Sequence, residues 1–341
     1  MIFRAGPAGR RMSRGTLIFL AVIVTALFAL LSLKSGAVAV TLPEFAGLLL
    51  GSPDADAFQR SVVLNLRLPR VLFALIAGGA LAICGAAMQA LFRNPLAEPG
   101  LVGLSAGAAV GAILSLSVGG AGLLAIGPAG FAGSLAAALF AYLIGRRYPG
   151  IAGLLLAGLA INAFAMSLVG LMLAFATDAQ LRSFAFWSLG SLTRASATGV
   201  AWLAPWTLAW TFYLCMQWRA LNALVLGERQ ARHLGFDPAR IRRRVLIAVA
   251  MLVGPLVAVI GGIAFIGLVV PHMLRMRVGA DHRVLLPMAW FGGATALVLA
   301  DWIARTAVAP AELPVGVVTS LVGGPFFMWL LARAPRTELF D

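Results

Sequence analysis

Charged residues are scarce in this chain. Only 11% of its 341 residues are charged and 61% are hydrophobic, whereas a soluble domain carries about 25% charged residues. Long apolar runs recur along the sequence, and a membrane-spanning helix needs roughly 20 apolar residues. The short alternation of polar and apolar residues typical of a membrane β-barrel is absent. The sequence therefore predicts an all-α, polytopic membrane protein.

Acidic residues and lysine are also few. The 12 Asp and Glu residues fall in predicted loops or at the ends of predicted spans, whereas an ion-coupled carrier keeps ionisable groups at mid-membrane. No clusters of metal ligands are visible within the runs. The single lysine, Lys34, follows Leu33, which excludes a G-x-x-x-x-G-K-[ST] nucleotide loop. We therefore expect no catalysis and no bound metal, and a partner that supplies the energy.

The two cysteines and the apolar run near the N-terminus are all interpreted as parts of membrane-spanning helices. Cys84 and Cys215 lie inside apolar runs, where a free cysteine behaves as a small hydrophobic residue. The first residues, MIFRAGPAGRRMSRG and an apolar run, resemble a signal peptide, but no A-x-A cleavage site follows closely. We interpret this run as a retained first span.

The apolar runs predict about ten spans, and the arginines between them set the topology. Nine spans would result if residues 244–277 formed one kinked element, but Arg333 and Arg336 would then lie outside. Ten spans concentrate arginine on the cytoplasmic side, as the positive-inside rule requires, and place both termini there. The basic net charge of +14 is thus attributed to topology. The predicted spans are 16–33, 69–91, 101–118, 121–144, 151–176, 199–217, 244–262, 263–277, 284–303 and 314–332.

Residues 93–112, RNPLAEPGLVGLSAGAAVGA, join a turn to a span of small residues. Pro95 and Pro99 stop helix propagation, so residues 93–100 are predicted to form a cytoplasmic turn. Small residues let membrane helices approach closely. The residues expected to pack between helices are Gly103, Ala106, Gly107 and Gly111.

The longest predicted cytoplasmic segment is 218–243, WRALNALVLGERQARHLGFDPARIRR. Gly227 and Gly235 suit turn and helix-ending positions, and Ala231 and Leu234 offer apolar contacts. The segment is interpreted as a short helix that docks in a groove of a cytoplasmic partner. An ordinary solvated basic loop is the alternative.

Five stretches together resemble the FecCD-type permeases of ATP-binding-cassette importers, the class that carries vitamin B12, iron–siderophores and haem. They follow the family order over most of residues 60–335, and the first 60 residues carry no diagnostic pattern. The stretches are LRLPRVLFALIAGGALAICGAAMQALF at 66–92, RNPLAEPGLVGLSAGAAVGA at 93–112, LGERQARHLGFDPARIR at 226–242, GGIAFIGLVVPHMLRMRVGADHRVLLP at 261–287 and LADWIARTAVAPAELPVGVVTSLVGGPFFMWLL at 299–331.

The resemblance implies a single transmembrane domain over residues 1–341 that forms a homodimer in a bacterial inner membrane. It also implies a pathway on the dimer axis, two cytoplasmic ATPase subunits that bind ATP and Mg, and a periplasmic binding protein. Arg67, Arg70 and Arg305 match external arginines that contact glutamates on the binding protein, with anchoring by lipid headgroups as the alternative. The resemblance further implies that the residues within 218–243 that couple to the ATPase are Gly227, Glu228, Ala231, Leu234 and Gly235.

The cargo is predicted from residues 178–192, DAQLRSFAFWSLGSL, whose opening resembles the haem-importing members. Arg182 is expected to meet a haem propionate by a charge-assisted bond, with Phe186 and Trp187 beside the flat macrocycle. An aromatic belt at headgroup level is the alternative. Haem is the favoured cargo, and a ferric siderophore or cobalamin is the alternative within the family. An ion-coupled secondary carrier and a membrane enzyme or scaffold are less favoured.

Overall fold

In the computed structural model, each of the ten predicted spans contains one helix of the described chain. The structure describes residues 13–36, 38, 40–50, 56–120, 123–148 and 151–333, and Arg336 lies outside these ranges. The prediction of an all-α polytopic fold is confirmed. The helices are α1 (Arg14–Lys34), α2 (Leu42–Leu50), α3 (Ala57–Ser61), α4 (Leu68–Phe92), α5 (Leu104–Ser117), α6 (Leu123–Gly145), α7 (Ala152–Ala174), α8 (Asp178–Ser188), α9 (Ala197–Met216), α10 (Trp218–Val225), α11 (Glu228–His233), α12 (Pro238–Ile260), α13 (Ile266–Val278), α14 (His282–Thr306) and α15 (Val315–Arg333).

Helix α4 is the centre of the subunit, and nearly all of its residues are buried. A side chain on Gly78 would collide with the backbone of Gly293 in α14, and one on Gly85 with the backbone of Gly267 in α13. Glycine therefore lets two neighbouring helices touch α4 backbone to backbone. Membrane helices gain close packing in this way, because lipid offers no hydrophobic driving force between helices.

Helices α5 and α6 are packed by the same device. A side chain on Gly107 would collide with the carbonyl oxygen of Gly133, and one on Gly111 with that of Ala129. Ala106 is also buried. Gly103 has a φ of 85°, a left-handed conformation that glycine adopts without steric penalty, and it ends the turn that precedes α5. The small residues singled out from the sequence thus lie on the packed face of α5 or at its start.

Two helices, α5 and α13, are too short to cross a membrane and begin inside the bundle. They have 14 and 13 residues, which correspond to about 20 Å at 1.5 Å per residue, against a hydrocarbon core of about 30 Å. The Asn162 side chain, midway along α7, donates to the carbonyl oxygen of Gly100 at 3.0 Å. This bond carries the end of the predicted cytoplasmic turn 93–100 into the bundle, deeper than the prolines alone indicated.

The C-terminal end of α1 is held by two buried arginines. Arg67 donates to the carbonyl oxygen of Lys34 at 2.8 Å, and Arg305 donates to that of Ser35 at 3.0 Å. The last carbonyl groups of a helix have no partner within the helix, so these guanidinium groups satisfy them. The contacts attach α1 to α14 and to the turn that directly precedes α4, although most of α1 faces away from the bundle.

Asp301 of α14 joins Arg305 to a third arginine, Arg70, in one charge network. Its carboxylate accepts from Arg70 Nε at 2.8 Å and from Arg305 Nε at 3.0 Å, and it is fully buried. Arg70 also pairs with Glu312 at 2.8 Å, on the connection between α14 and α15. Because removal of one partner leaves a buried charge uncompensated, Asp301 is the residue on which the network depends.

We predict that Asp301→Asn lowers the free energy of unfolding by about 3–5 kcal/mol, the usual loss when a buried ion pair is broken. Glu312→Gln is the matched control, because it also removes an acidic partner of Arg70 but Glu312 is 41% exposed. The control should lose about 0–1 kcal/mol. Denaturation of the purified protein in detergent measures both. Equal losses for the two variants would contradict the central role of Asp301.

Candidate functional site

A cavity of about 700 Å³ lies beside the beginnings of the two short helices. Leu81 of α4 and Val253 and Val257 of α12 supply an apolar wall. The polar lining comes from several elements at once. Its members are Glu98, Ser105, Asn162, Ser188 and Ser320. A concave, mostly apolar cavity with a few polar groups is typical of a ligand site.

Close backbone contacts bring the ends of α8, α12 and α15 to this cavity. A side chain on Gly261 would collide with the carbonyl oxygen of Trp187, and one on Gly316 with that of Leu189. Gly261 has a φ of 73°, which allows α12 to end where the chain turns toward α13. These contacts bring Leu189 and Gly316 to the cavity lining.

Phe265 stands in a strained backbone conformation at the cavity. Its φ is 68°, and few residues other than glycine adopt the left-handed region. Phe265 precedes α13, lines the cavity and packs against Gly323 of α15, where a side chain would collide with the Phe265 ring. Strained residues of this kind persist only where surrounding packing holds them. The beginning of α13 is therefore fixed by α15.

Glu98 is the functional candidate that the sequence did not reveal. It is the only charged side chain on the cavity lining, and in the described part of the chain its carboxylate has no hydrogen-bond or ion-pair partner. It directly precedes the Pro99–Val102 turn. Sequence reasoning placed every acidic residue in a loop or at a span end, but the bond between Asn162 and Gly100 carries this loop to mid-depth.

The three residues predicted for the substrate pathway lie on α8 but not on the cavity lining. Trp187 is buried, and its Nε1 donates to the carbonyl oxygen of Ala258 at 3.0 Å. Arg182 and Phe186 are exposed and share one face of α8, and Leu189, one turn further, lines the cavity. Residues three and four apart are neighbours on a helix surface. Arg182 and Phe186 therefore form a stripe that leads toward the cavity.

The predicted coupling segment forms α10 and α11 with their flanking glycines. Gly227 has a φ of 109° and Gly235 a φ of 82°, so both use conformations that favour glycine. Leu234 is 58% exposed, whereas Ala231 is fully buried. Glu228 forms an ion pair with Arg242 of α12 at 3.2 Å. Leu234 thus presents an exposed apolar side chain, while the buried Ala231 packs α11 against the rest of this chain.

Because Ala231 is fully buried, a substitution there would test the packing of α11 as well as a contact with a partner. The sequence predicts that Ala231 and Leu234 both offer apolar contacts to a cytoplasmic partner. A charge at the fully buried Ala231 would disturb the packing of α11 itself, because burying an unpaired charge is costly. Of these two residues, Leu234 is the one through which an outer contact can be tested.

The three arginines predicted to dock a binding protein already form hydrogen bonds or ion pairs within the subunit. Arg67 and Arg305 are 6% and 7% exposed and hold the end of α1. The Arg70 side chain is 11% exposed and pairs with Asp301 and Glu312. Docking through these groups stays a prediction, and it would require them to leave these partners. In the described ranges, no group of three or more His, Cys, Asp or Glu residues could hold a metal ion.

Comparison with known proteins gives one consistent family. The model of the FecCD transport family matches residues 22–333. The chain is 45% identical over 334 residues to the hemin transport system permease protein HmuU of Yersinia pestis, covering 96% of this chain and 97% of that protein. It is 44% identical over 292 residues to the vitamin B12 import system permease protein BtuC of Escherichia coli O6:H1, covering 84% and 86%.

A solved structure agrees with these relatives. It is described as an inward-facing conformation of a metal-chelate type ABC transporter, and it matches with a TM-score of 0.85 and 30% sequence identity. The match covers 94% of this chain and 100% of that chain. From the match of the family model and the identity to both permeases, the chain belongs to the FecCD transport family.

Proposed function

We propose that the chain is the membrane permease subunit of an ATP-binding-cassette importer for a metal chelate, with haem as its cargo. The observation that carries this proposal is the cavity where two short helices begin at mid-depth. Interrupted helices that meet near the bilayer midplane are typical of transporter binding sites. The relatives named for hemin and vitamin B12 support a macrocyclic metal chelate as cargo.

The cavity also supports a homodimer with the pathway between subunits. Leu189 and Leu321 line it and are exposed large hydrophobic residues, and Val322 beside them is exposed too. An exposed apolar patch beside a cavity suits contact with another subunit. A second copy of the chain would cover this patch and close the cavity on its open side. Cargo would then pass between two copies of the same lining.

The charges near the cavity favour an anionic cargo at its entrance. Arg182 and Phe186 offer a cation and an aromatic ring on one exposed face, and haem presents two carboxylates on an apolar disc. Charge-assisted bonds from arginine to carboxylate are among the stronger hydrogen bonds. Glu98 lies deeper and opposes negative charge. A neutral cobalamin uses neither charge, and a ferric siderophore is the remaining alternative.

We predict opposite effects of the two charges on haem uptake. Arg182→Gln should reduce initial haem uptake about five- to tenfold, and Glu98→Gln should raise it by a similar factor, since each change alters roughly 1 kcal/mol of charge interaction in wet surroundings, at the approach to the cavity for Arg182 and on its lining for Glu98. Uptake at low haem concentration is measured in proteoliposomes that contain the assembled complex. Arg194→Gln, which removes a positive charge outside α8, should leave uptake near the unaltered value.

Vitamin B12 serves as the neutral cargo in the same assay. If this complex carries it, its uptake should be insensitive to both substitutions. Haem uptake unchanged by either substitution would contradict a role for these charges. Uptake of a ferric siderophore or of vitamin B12 without any uptake of haem would replace the proposed cargo but retain the proposed machinery.

ATP hydrolysis is proposed to reach the pathway through α11. This short helix projects Leu234 from a charged surface, and it is tied to α12 by the Glu228–Arg242 pair. Helix α12 extends to Val253 and Val257 on the cavity wall. A rigid-body movement of α11 by a closing ATPase subunit would therefore be transmitted to the cavity. Two states of such a packed element are the usual form of a switch.

We predict that Leu234→Asp abolishes ATP-driven uptake while the permease keeps its melting temperature. The exposed leucine carries the outer contact, and a charge there should prevent docking without disturbing the bundle. Ala231→Asp is the matched control on the same helix, and it should lower the melting temperature because its site is fully buried. Normal uptake by the Leu234→Asp complex would exclude this contact.

The position of Glu98 at mid-depth favours a second candidate function, that of an ion-coupled carrier. Ionisable groups at mid-depth mark proton and ion pathways in such carriers. The two functions are separated by their energy source. Uptake that requires ATP and stops with a hydrolysis-deficient ATPase subunit supports the importer, whereas uptake driven by a proton or sodium gradient without ATPase subunits supports the carrier.

A further inference from the structure

A second concave surface lies between α1, α13 and α14, away from the cavity described above. It is a groove of about 430 Å³ whose lining is almost entirely apolar. Leu17, Leu20 and Val24 of α1 form one wall, and Met273 and Leu274 of α13 form the other. Helix α1 leaves most of its surface outside the bundle here. The groove is therefore open along a membrane-facing helix.

Small residues on α14 create the floor of the groove. Gly292 and Ala296 both line it, and a Cβ on Gly292 would already lie 3.0 Å from the side chains of Leu274 and Val270. Larger side chains at these positions would fill the space between α1 and α13. These small residues thus leave a channel that an apolar chain can fill. In a bilayer, the apolar chains that surround α1 are lipid acyl chains.

Basic residues stand at one end of this groove. Arg14 lies one turn before Leu17 on α1, and Arg277 lies one turn after Leu274 on α13, so each continues a lining face. Arg277 is exposed and has no hydrogen-bond or ion-pair partner among the residues that the structure describes. Arg14 is also exposed and reaches Asp281 at 3.3 Å. The apolar groove therefore opens onto two guanidinium groups.

Among the described residues, the acidic side chain at this end, that of Asp281, already has hydrogen-bond partners within the subunit. Asp281 accepts from the Asn222 side chain at 2.9 Å and from the backbone N–H of Arg283 at 3.0 Å. The hydrogen bond from Asn222 lowers the pKa of the Asp281 carboxyl, and the N–H of Arg283 and the charge of Arg14 act in the same direction. Asp281 thus stays ionised and partly balances Arg14, while Arg277 is left to attract an anion.

We propose that this groove binds an anionic phospholipid, with one acyl chain between α1 and α13 and the phosphate at Arg277 and Arg14. Basic pockets between transmembrane helices are suited to anionic headgroups, and arginine forms strong bonds with phosphate. The lipid would fill a gap that protein side chains leave open. It would also strengthen the attachment of α1, which already contacts the rest of the subunit through Arg14, through the hydrogen bonds of Thr25 with Phe291 and Thr295, and through the arginines at its C-terminal end.

The test uses the purified full chain in detergent with two defined lipids, dioleoylphosphatidylglycerol and dioleoylphosphatidylcholine. Native mass spectrometry measures how many molecules of each stay bound, and the melting temperature measures stabilisation. We expect one tightly bound phosphatidylglycerol that raises the melting temperature, and weaker binding of phosphatidylcholine. Arg277→Gln should weaken phosphatidylglycerol binding about fivefold, the effect of one basic residue near an anionic headgroup. Arg229→Gln, an exposed arginine on α11, should change nothing.

A second pair of variants tests the groove rather than the charge. Ala296→Phe fills the groove from the α14 floor, and Ala21→Phe fills it from the α1 wall, which Ala21 also lines. Both should prevent binding of either lipid while the lipid-free melting temperature is retained. If one of them misfolds, the other reports on the site. Equal binding of the two lipids, or no effect of Arg277→Gln, would overturn the proposal. A change in oligomeric state in the filled variants would also overturn it, because the occupant would then be a protein helix.

Discussion

Backbone-to-backbone contact at glycine is the constraint on which this structure depends. The contact of Gly85 with Gly267 sets the depth at which α13 begins, because no side chain separates the two helices. Gly107 and Gly111 place α5 against α6 in the same manner. Both short helices therefore start inside the bundle, and the space between their starts is the cavity. In lipid, where apolar surface alone does not drive helices together, such packing is the available means of fixing these positions.

The placement of charge follows from the same enclosed geometry. Asp301 is fully buried and is compensated by Arg70 and Arg305, so its charge serves the attachment of α1 to the bundle. Glu98 lies at mid-depth in the bundle, on the turn held by Asn162, but has no partner in the described part of the chain. Because an uncompensated charge inside a membrane protein is expensive, it is retained where it faces a water-filled cavity and contributes to function. The contrast separates a structural carboxylate, Asp301, from a candidate functional one, Glu98.

Hydropathy was sufficient to predict the helices but not the depth of the segments between them. Each apolar run contains one helix, since length and composition decide whether a segment can cross a membrane. The position of Glu98 depends on a bond between Asn162 and Gly100, which are distant in sequence. The sequence predicts that the Trp187 ring lies beside the cargo, but its indole N–H donates to the carbonyl oxygen of Ala258 in α12. Such long-range partners leave no periodic signal. The family resemblance identified stretches shared with FecCD permeases, but it did not reveal these contacts.

The central claim is that the cavity at mid-depth is a water-filled pathway for the cargo. Ser105 lines it, whereas Ser167 of α7 is exposed on the outer surface of the described subunit and away from the lining. Single cysteines at these two positions, in a Cys215→Ser background, can be reacted with a membrane-impermeant maleimide in proteoliposomes containing the assembled complex. The account predicts that the cysteine at 105 reacts and is protected by haem, and that the cysteine at 167 stays unreactive in lipid. No reaction at 105, or reaction at 105 that no metal chelate slows, would contradict it.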